Sequence, residues 1–304
     1  MNLKNVKAVK KGFRGGLRNG SYYVVTLIFS IIAFLAVLYP MYFIVIASIS
    51  DSTLVNQGQV IFTPKGISLY GYRQIFKNVL IWNGYRNTIV YSLLGTALNL
   101  ALTLPAAYVL SRKRFRFRKI LMFLMVFTMY FNGGIIPTYM LVKDLHLLDS
   151  PLIMIIMGGL NVYNLIITRT FFENSIPEEL YEAAVIDGCS HFRYFMTVII
   201  PLSKAVTAVI MLYYLVGHWN DFFVPLLYIN RDNYQPLQIV LRNILLSNQA
   251  MVGIAGGGAS GYAQQFADQI KFGVIIVSTV PILLVYPFIQ KYFEKGVMIG
   301  AVKG

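Results

Sequence analysis

Two groups of residues in this 304-residue chain have the types and spacing to do chemistry. The first is acidic: Glu178, Glu179, Glu182 and Asp187, with Ala183 and Ala184 between them and Gly188 directly after. Glutamates at a helix start suit the positive end of the macrodipole, and their carboxylates can pair with basic groups on another surface. The second group is amide-rich: Asn132, Asn161, Asn164 and the run Trp219-Asn220-Asp221. Amides and a carboxylate can bond hydroxyls, and an indole face can cover an apolar ring. Covalent chemistry is not encoded in any familiar form. The chain has no G-x-x-x-x-G-K-S/T phosphate loop, no H-E-x-x-H and no G-x-S-x-G. Its single cysteine and three scattered histidines, His146, His191 and His218, make neither a disulfide nor a metal set.

The elements that must carry these groups are set by composition. The chain is 57% hydrophobic and 12% charged, about half the charged share of a soluble domain. Its net charge of +14 sits at the ends of long uncharged stretches, which points to a bilayer and not to nucleic acid. Five such stretches are 19–50, 87–111, 120–142, 150–168 and 272–290. A sixth, 201–229, is interrupted by Lys204 and Asp221. Each approaches or exceeds the ~20 residues a hydrocarbon core requires. The expected fold is an all-α polytopic membrane protein with six transmembrane helices and a cytoplasmic loop between spans four and five. Residues 243–267 are uncharged too, but hold Gly253, Gly256, Gly257, Gly258 and Gly261, and read as a flexible loop. Gly133, Gly134 and Pro137 are placed to kink the third span.

Orientation follows from charge. With six spans and both termini inside, 18 of the 26 Lys and Arg residues fall on the cytoplasmic side. The basic run 112–119 is then cytoplasmic, as is the acidic segment. The first apolar run is too long for a signal peptide and reads as an uncleaved span. The expected organisation is a basic cytoplasmic tail over 1–18, a transmembrane domain over 19–291 and a cytoplasmic tail over 292–304. The domain's cytoplasmic loop covers about 170–200 and its external loop about 231–271.

Within the cytoplasmic loop, Ser175 and Glu178 have the spacing of a capping box and Pro177 falls in the first turn. Asp187-Gly188 supplies a stop, with Gly188 left-handed, and Ser190 can open a second short helix ending before Pro201. Two short helices meeting at a glycine form a knob, with Leu180, Tyr181, Val185 and Phe192 as its apolar filling for a partner's groove. The fifth span starts at Pro201, so motion of the knob would pass directly into it.

The pattern E-A-A-x-x-D-G over 182–188, then Phe195, Pro201 and the terminal run FEKGVMIGAVKG, resembles the signature of permease subunits in type I ATP-binding-cassette importers, nearest the carbohydrate (maltose-type) group. Cys189 replaces the small residue, usually alanine, that follows the glycine there. The resemblance implies half of a translocation path for a sugar or oligosaccharide, in a prokaryotic plasma (inner) membrane. It implies a second permease subunit in a heterodimer, two cytoplasmic ATPase subunits that bind the ATP and Mg, and an extracytoplasmic solute-binding protein. The chain itself would hold no cofactor and be no enzyme. Glu178, Glu179, Glu182, Ala183, Ala184, Asp187, Gly188 and Phe195 would then couple to the ATPase, and Asn132, Asn161, Asn164, Trp219, Asn220 and Asp221 would line the path. The glycines at 253–261 would reach into the binding protein, and Gly296–Gly304 toward the ATPase dimer. The alternatives are an importer permease for a non-sugar solute and an ion-coupled carrier. The second would need coupling-ion carboxylates and an internal repeat, and neither is visible.

Overall fold

The computed structural model describes residues 20–254, 270–284 and 287. The tails 1–18 and 292–304, with Gly256, Gly257, Gly258 and Gly261, lie outside the described residues. All regular structure among the described residues is helical. α1 (Gly20–Ser48) is followed by two short helices, α2 (Ser52–Asn56) and α3 (Tyr70–Lys77), and by the long α4 (Val79–Ser111). Next come α5 (Arg118–Tyr130), α6 (Ile135–Asp144), α7 (Pro151–Ile156) and α8 (Val162–Ser175). α9 (Glu178–Ile186) and α10 (His191–Tyr194) form the knob, and α11 (Lys204–Trp219), α12 (Phe223–Tyr228), α13 (Leu237–Ile254) and α14 (270–284) complete the order.

α1 and α4 are each long and apolar enough to cross a bilayer alone. Two bent pairs extend that number to four: α5 with α6, turning by 109°, and α10 with α11, turning by 83°. The first bend falls where Gly133, Gly134 and Pro137 place it. Gly134 has φ +83, a conformation that needs glycine. The freed backbone groups there are satisfied locally: Asn132 Oδ1 accepts from the Gly134 N–H at 3.0 Å, and Thr138 Oγ1 donates to the Gly134 carbonyl at 2.7 Å.

Three expectations change. The 150–168 run is not one helix but α7 and α8, broken over 157–161. The 201–229 run is α11 and then the separate α12, with Asp221 Oδ1 accepting from the Val224 N–H at 3.2 Å to cap the second. Residues 243–254 are helical, as the second half of α13, and not a loop. Leu, Gln, Ile, Ala and Met dominate that half and favour helix, whereas the glycines that lowered its average begin only at Gly253.

α4 is the hub, and α7, α8, α11 and α13 pack on it. Burial of apolar surface cannot drive this inside a membrane, so close approach and hydrogen bonds must. The buried residues of α4 accordingly include a small and polar stripe, Gly84, Thr88, Ser92, Gly95, Thr96, Asn99, Thr103, Ala107 and Ser111, beside the larger Ile81, Tyr91, Leu104, Tyr108 and Leu110. A Cβ on Gly84 would lie 3.0 Å from Leu237 Cα, and one on Gly95 only 2.4 Å from His218 Nε2. Asn99 is fully buried and serves the break between α7 and α8. Its Nδ2 donates to the carbonyls of Gly158 (3.1 Å) and Gly159 (2.8 Å). Its Oδ1 therefore faces His218 Nε2 at 2.7 Å, which makes that nitrogen the protonated one. Tyr214 OH accepts from the Asn161 N–H at 3.1 Å and shares a hydrogen bond with Thr103 Oγ1 at 2.7 Å.

The two ends of α4, about 50 Å apart for a 33-residue helix, gather different segments. At its start, Asn87 donates to the carbonyls of Asn233 and Gln235, and Tyr91 OH to that of Tyr234. At its finish, Leu110 O accepts from Arg169 Nε and Arg112 lies beside Glu178. Segments expected outside and inside by charge thus fall at opposite ends of one helix. At the end where α4 starts, Asp149, itself at φ +54, clamps the turn after α12: its Oδ1 accepts from the N–H groups of Asn230 and, at 3.1 Å, Arg231. Those bonds, Asn230's first, hold its carboxyl below the usual carboxylate range. The clamp is at full strength above that range and is lost as pH falls through the lowered value. Asp149→Leu should speed amide exchange at Asn230 and Arg231 by roughly tenfold at neutral pH. Unchanged exchange would mean that the turn holds itself.

Candidate functional site

The knob is built differently from its sequence expectation at one end and as expected at the other. The capping box does not form. α8 continues through Ser175, whose side chain is therefore placed in the last turn of the preceding helix. The N-cap of α9 is Pro177 (φ −60, ψ 143), which brings no capping side chain but has its φ preset. Glu178 and Glu179 occupy the first turn. At the other end, Asp187 is the C-cap and Gly188 is left-handed at φ +71. The Gly188 N–H donates to Val185 O at 3.0 Å and the Cys189 N–H to Ala184 O at 2.8 Å, the paired bonds of a Schellman closure. Ser190 then caps α10, its Oγ accepting from the Arg193 N–H at 3.3 Å.

α10 does not stop before Pro201. It widens into a π turn over Phe195–Ile199 and ends with Ile200–Leu202. Pro201 explains the widening, because its ring clashes with the carbonyl one turn back and it has no N–H to offer. The chain then bends by 83° at Ser203 into α11, and Ser203 Oγ donates to Ile199 O at 2.6 Å. The knob therefore does not run straight into α11.

Its side chains divide cleanly. Tyr181, expected as groove filling, is turned inward and only 8% exposed, in one core cluster with Tyr108, Tyr194 and Phe195. Phe195 is likewise buried, 5.2 Å from the Tyr108 ring, and holds the knob to α4 without reaching its surface. Glu178 lies 3.8 Å from Arg112 of the same chain. Behind the knob, Glu173 pairs with Arg169 (2.7 Å) and Arg118 (3.7 Å). The outward surface keeps Glu179, Glu182, Ala183, Asp187 and Gly188, with Ala184 half-buried. Between these project Leu180, Val185, Ile186 (86% exposed) and Phe192 (71%). Arg112 was legible only as one positive charge among six. The signal that could have found it is Tyr108 four residues earlier, on the same helical face.

The amide group is not one site. Asn161 Oδ1 caps α8 by accepting from the Asn164 N–H at 3.1 Å, and Asn164 is buried behind it. Trp219 Nε1 donates to Ser278 O at 3.0 Å, joining α11 to α14. Asn220 is exposed at the end of α11. Asn132 is exposed at the α5–α6 bend and lines a cavity of about 240 Å³ with Thr138, Phe223 and Tyr228. Gly253 lies in the last turn of α13.

The family described as binding-protein-dependent transport system inner membrane component matches residues 80–299. The chain belongs to this family. As a permease subunit it is no enzyme, and membership implies partners that hydrolyse ATP and bind solute. The permease is similar to the polygalacturonan/rhamnogalacturonan transport system permease protein YtcP of Bacillus subtilis (strain 168). The two are 41% identical over 265 residues, covering 87% of this chain and 92% of that one. It is also similar to the melibiose/raffinose/stachyose import permease protein MelC of the same organism, at 25% identity over 94% of this chain and 99% of that one. Among solved structures, the permease superposes with a TM-score of 0.81 on a chain from a bacterial ABC transporter involved in the import of the acidic polysaccharide alginate. That match has 32% identity and covers 90% of this chain and 97% of the other. The ion-coupled alternative is thereby set aside.

Proposed function

We infer that this permease forms half of a translocation path for an oligosaccharide, pairing with a second, different permease subunit. Two ATPase subunits, which carry the ATP and Mg, dock on the knob from the cytoplasm, and both termini lie on that side. A solute-binding protein delivers cargo from outside. The observation that carries the docking reading is the knob's outward surface, where Ile186 and Phe192 project between Glu179, Glu182 and Asp187. Large apolar side chains exposed beside charged ones on the same two short helices are the make-up of a protein contact. The basic run 112–119 and the knob share one end of α4, which agrees with the charge count.

For cargo, two of the similar proteins are named for acidic polysaccharides, so uronate-containing oligosaccharides are the first class to test. Asn132 and Asn220 remain open to a solute, whereas Asn161, Asn164, Trp219 and Asp221 serve the fold. The test is the reconstituted importer in liposomes, supplied with binding protein and either oligogalacturonate or a neutral oligosaccharide. ATP hydrolysis should rise with the loaded binding protein and solute should accumulate. Stimulation by the neutral sugar alone would remove the uronate assignment, and no accumulation of either would remove the oligosaccharide reading.

A further inference from the structure

One cation joins three helices beneath the knob. Arg112 is the C-cap of α4, where a positive charge suits the negative end of a 33-residue helix. Its guanidinium carbon lies 4.9 Å from the ring centroid of Tyr108 in α4, 4.8 Å from that of Tyr181 in α9 and 5.3 Å from that of Tyr194 in α10. Glu178 of α9 adds its carboxylate at 3.8 Å. Arg112 Nε and the Tyr194 hydroxyl are buried without hydrogen-bond partners. The joint is therefore made chiefly of π faces and one ion pair, with the Tyr181 hydroxyl also reaching the His191 ring at 3.4 Å. Each such contact attracts as long as the cation stays within about 6 Å of the ring centroid.

The backbone route from knob to membrane is poorer at carrying force. It passes the π turn at Phe195–Ile199 and the 83° bend at Ser203 before reaching α11. The route through Arg112 enters one unbroken helix, with Pro105 inside it, and that helix holds α7, α8, α11 and α13 together. Through Asn99, displacement of α4 would also act on the broken segment at Gly158 and Gly159.

We propose that Arg112 is the positioning residue that binds the knob to α4, so that ATPase closure is delivered to the membrane helices through α4 and not through the Pro201 connection. This rests on the docking reading above. The full importer in liposomes tests it with Arg112→Leu, Arg112→Lys, Tyr181→Leu and Tyr181→Phe, scored per assembled complex. Arg112→Leu and Tyr181→Leu should retain the ATPase yet lose roughly tenfold in uptake, with hydrolysis no longer responding to loaded binding protein. Tyr181→Phe, which keeps the ring face, should work as the parent does. Arg112→Lys, charged but without the planar fork that spans three rings, should fall between. A merely structural joint would lower the amount of complex and leave turnover per complex unchanged. That result overturns the proposal, as does loss of the ATPase from both Arg112 variants. The docking reading is judged separately by Ile186→Asp combined with Phe192→Asp: ATPase that still co-purifies with this variant refutes docking, whatever Arg112 does.

Discussion

Asn99→Asp should leave little folded permease to purify, and Asn99→Leu should melt roughly 5–10 °C below the parent in detergent. Asn99, itself fully buried, makes three hydrogen bonds, to Gly158 O, Gly159 O and His218. Leucine of similar size removes all three, taking its partner from two carbonyls and an imidazole N–H, at up to about 1–3 kcal/mol for a group that is left buried and unpaired. Aspartate is worse, since both its oxygens are acceptors and the Gly158 and Gly159 carbonyls would face them across a buried charge. No water is at hand in a bilayer to relieve either variant. Equal melting temperatures for parent and Asn99→Leu would show that the break at 157–161 is held by its own turn.

Replacing Gly188 by valine should cut loaded-binding-protein-stimulated ATP hydrolysis by about tenfold or more, with the protein still present in the membrane at parental levels. No atom lies within 4 Å of a Cβ built on Gly188, so crowding is not the cause. The cost is the left-handed backbone at φ +71, which closes α9 through Val185 O and Ala184 O. Asparagine tolerates that conformation, alanine loses ~1 kcal/mol and a β-branched side chain loses more. The expected order of coupled activity is therefore Gly, Asn, Ala, Val. An order that followed side-chain volume, with Asn below Ala, would place the defect in a contact with the ATPase and not in the turn.

Fold class and the place of the knob were readable from pattern because both depend on local composition. The uncharged runs located α1, α4 and the first bent pair, and E-A-A-x-x-D-G located the turn at Gly188. What escaped was decided by contacts across the chain. The 157–161 break exists because Asn99 and Tyr214, some 60 and 50 residues away, satisfy its backbone. Ser175 fits a capping box by spacing, but α8 claims it first. The averaged apolarity of 243–267 hid a helix that ends where the glycines begin. The regular stripe from Gly84 to Ser111 was present in the sequence throughout, and a search for small residues every three to four positions would have named α4 as the hub.

The Schellman closure also places a chemical handle. Cys189, whose N–H completes that closure, is the only sulfhydryl in all 304 residues, and it is partly shielded against the core beneath α9. The unmodified protein thus has a single thiol at the joint between its two short helices. Its alkylation rate reads how tightly that joint is shut, free of any background signal from elsewhere in the chain and without engineering a reporter into the part whose motion is in question.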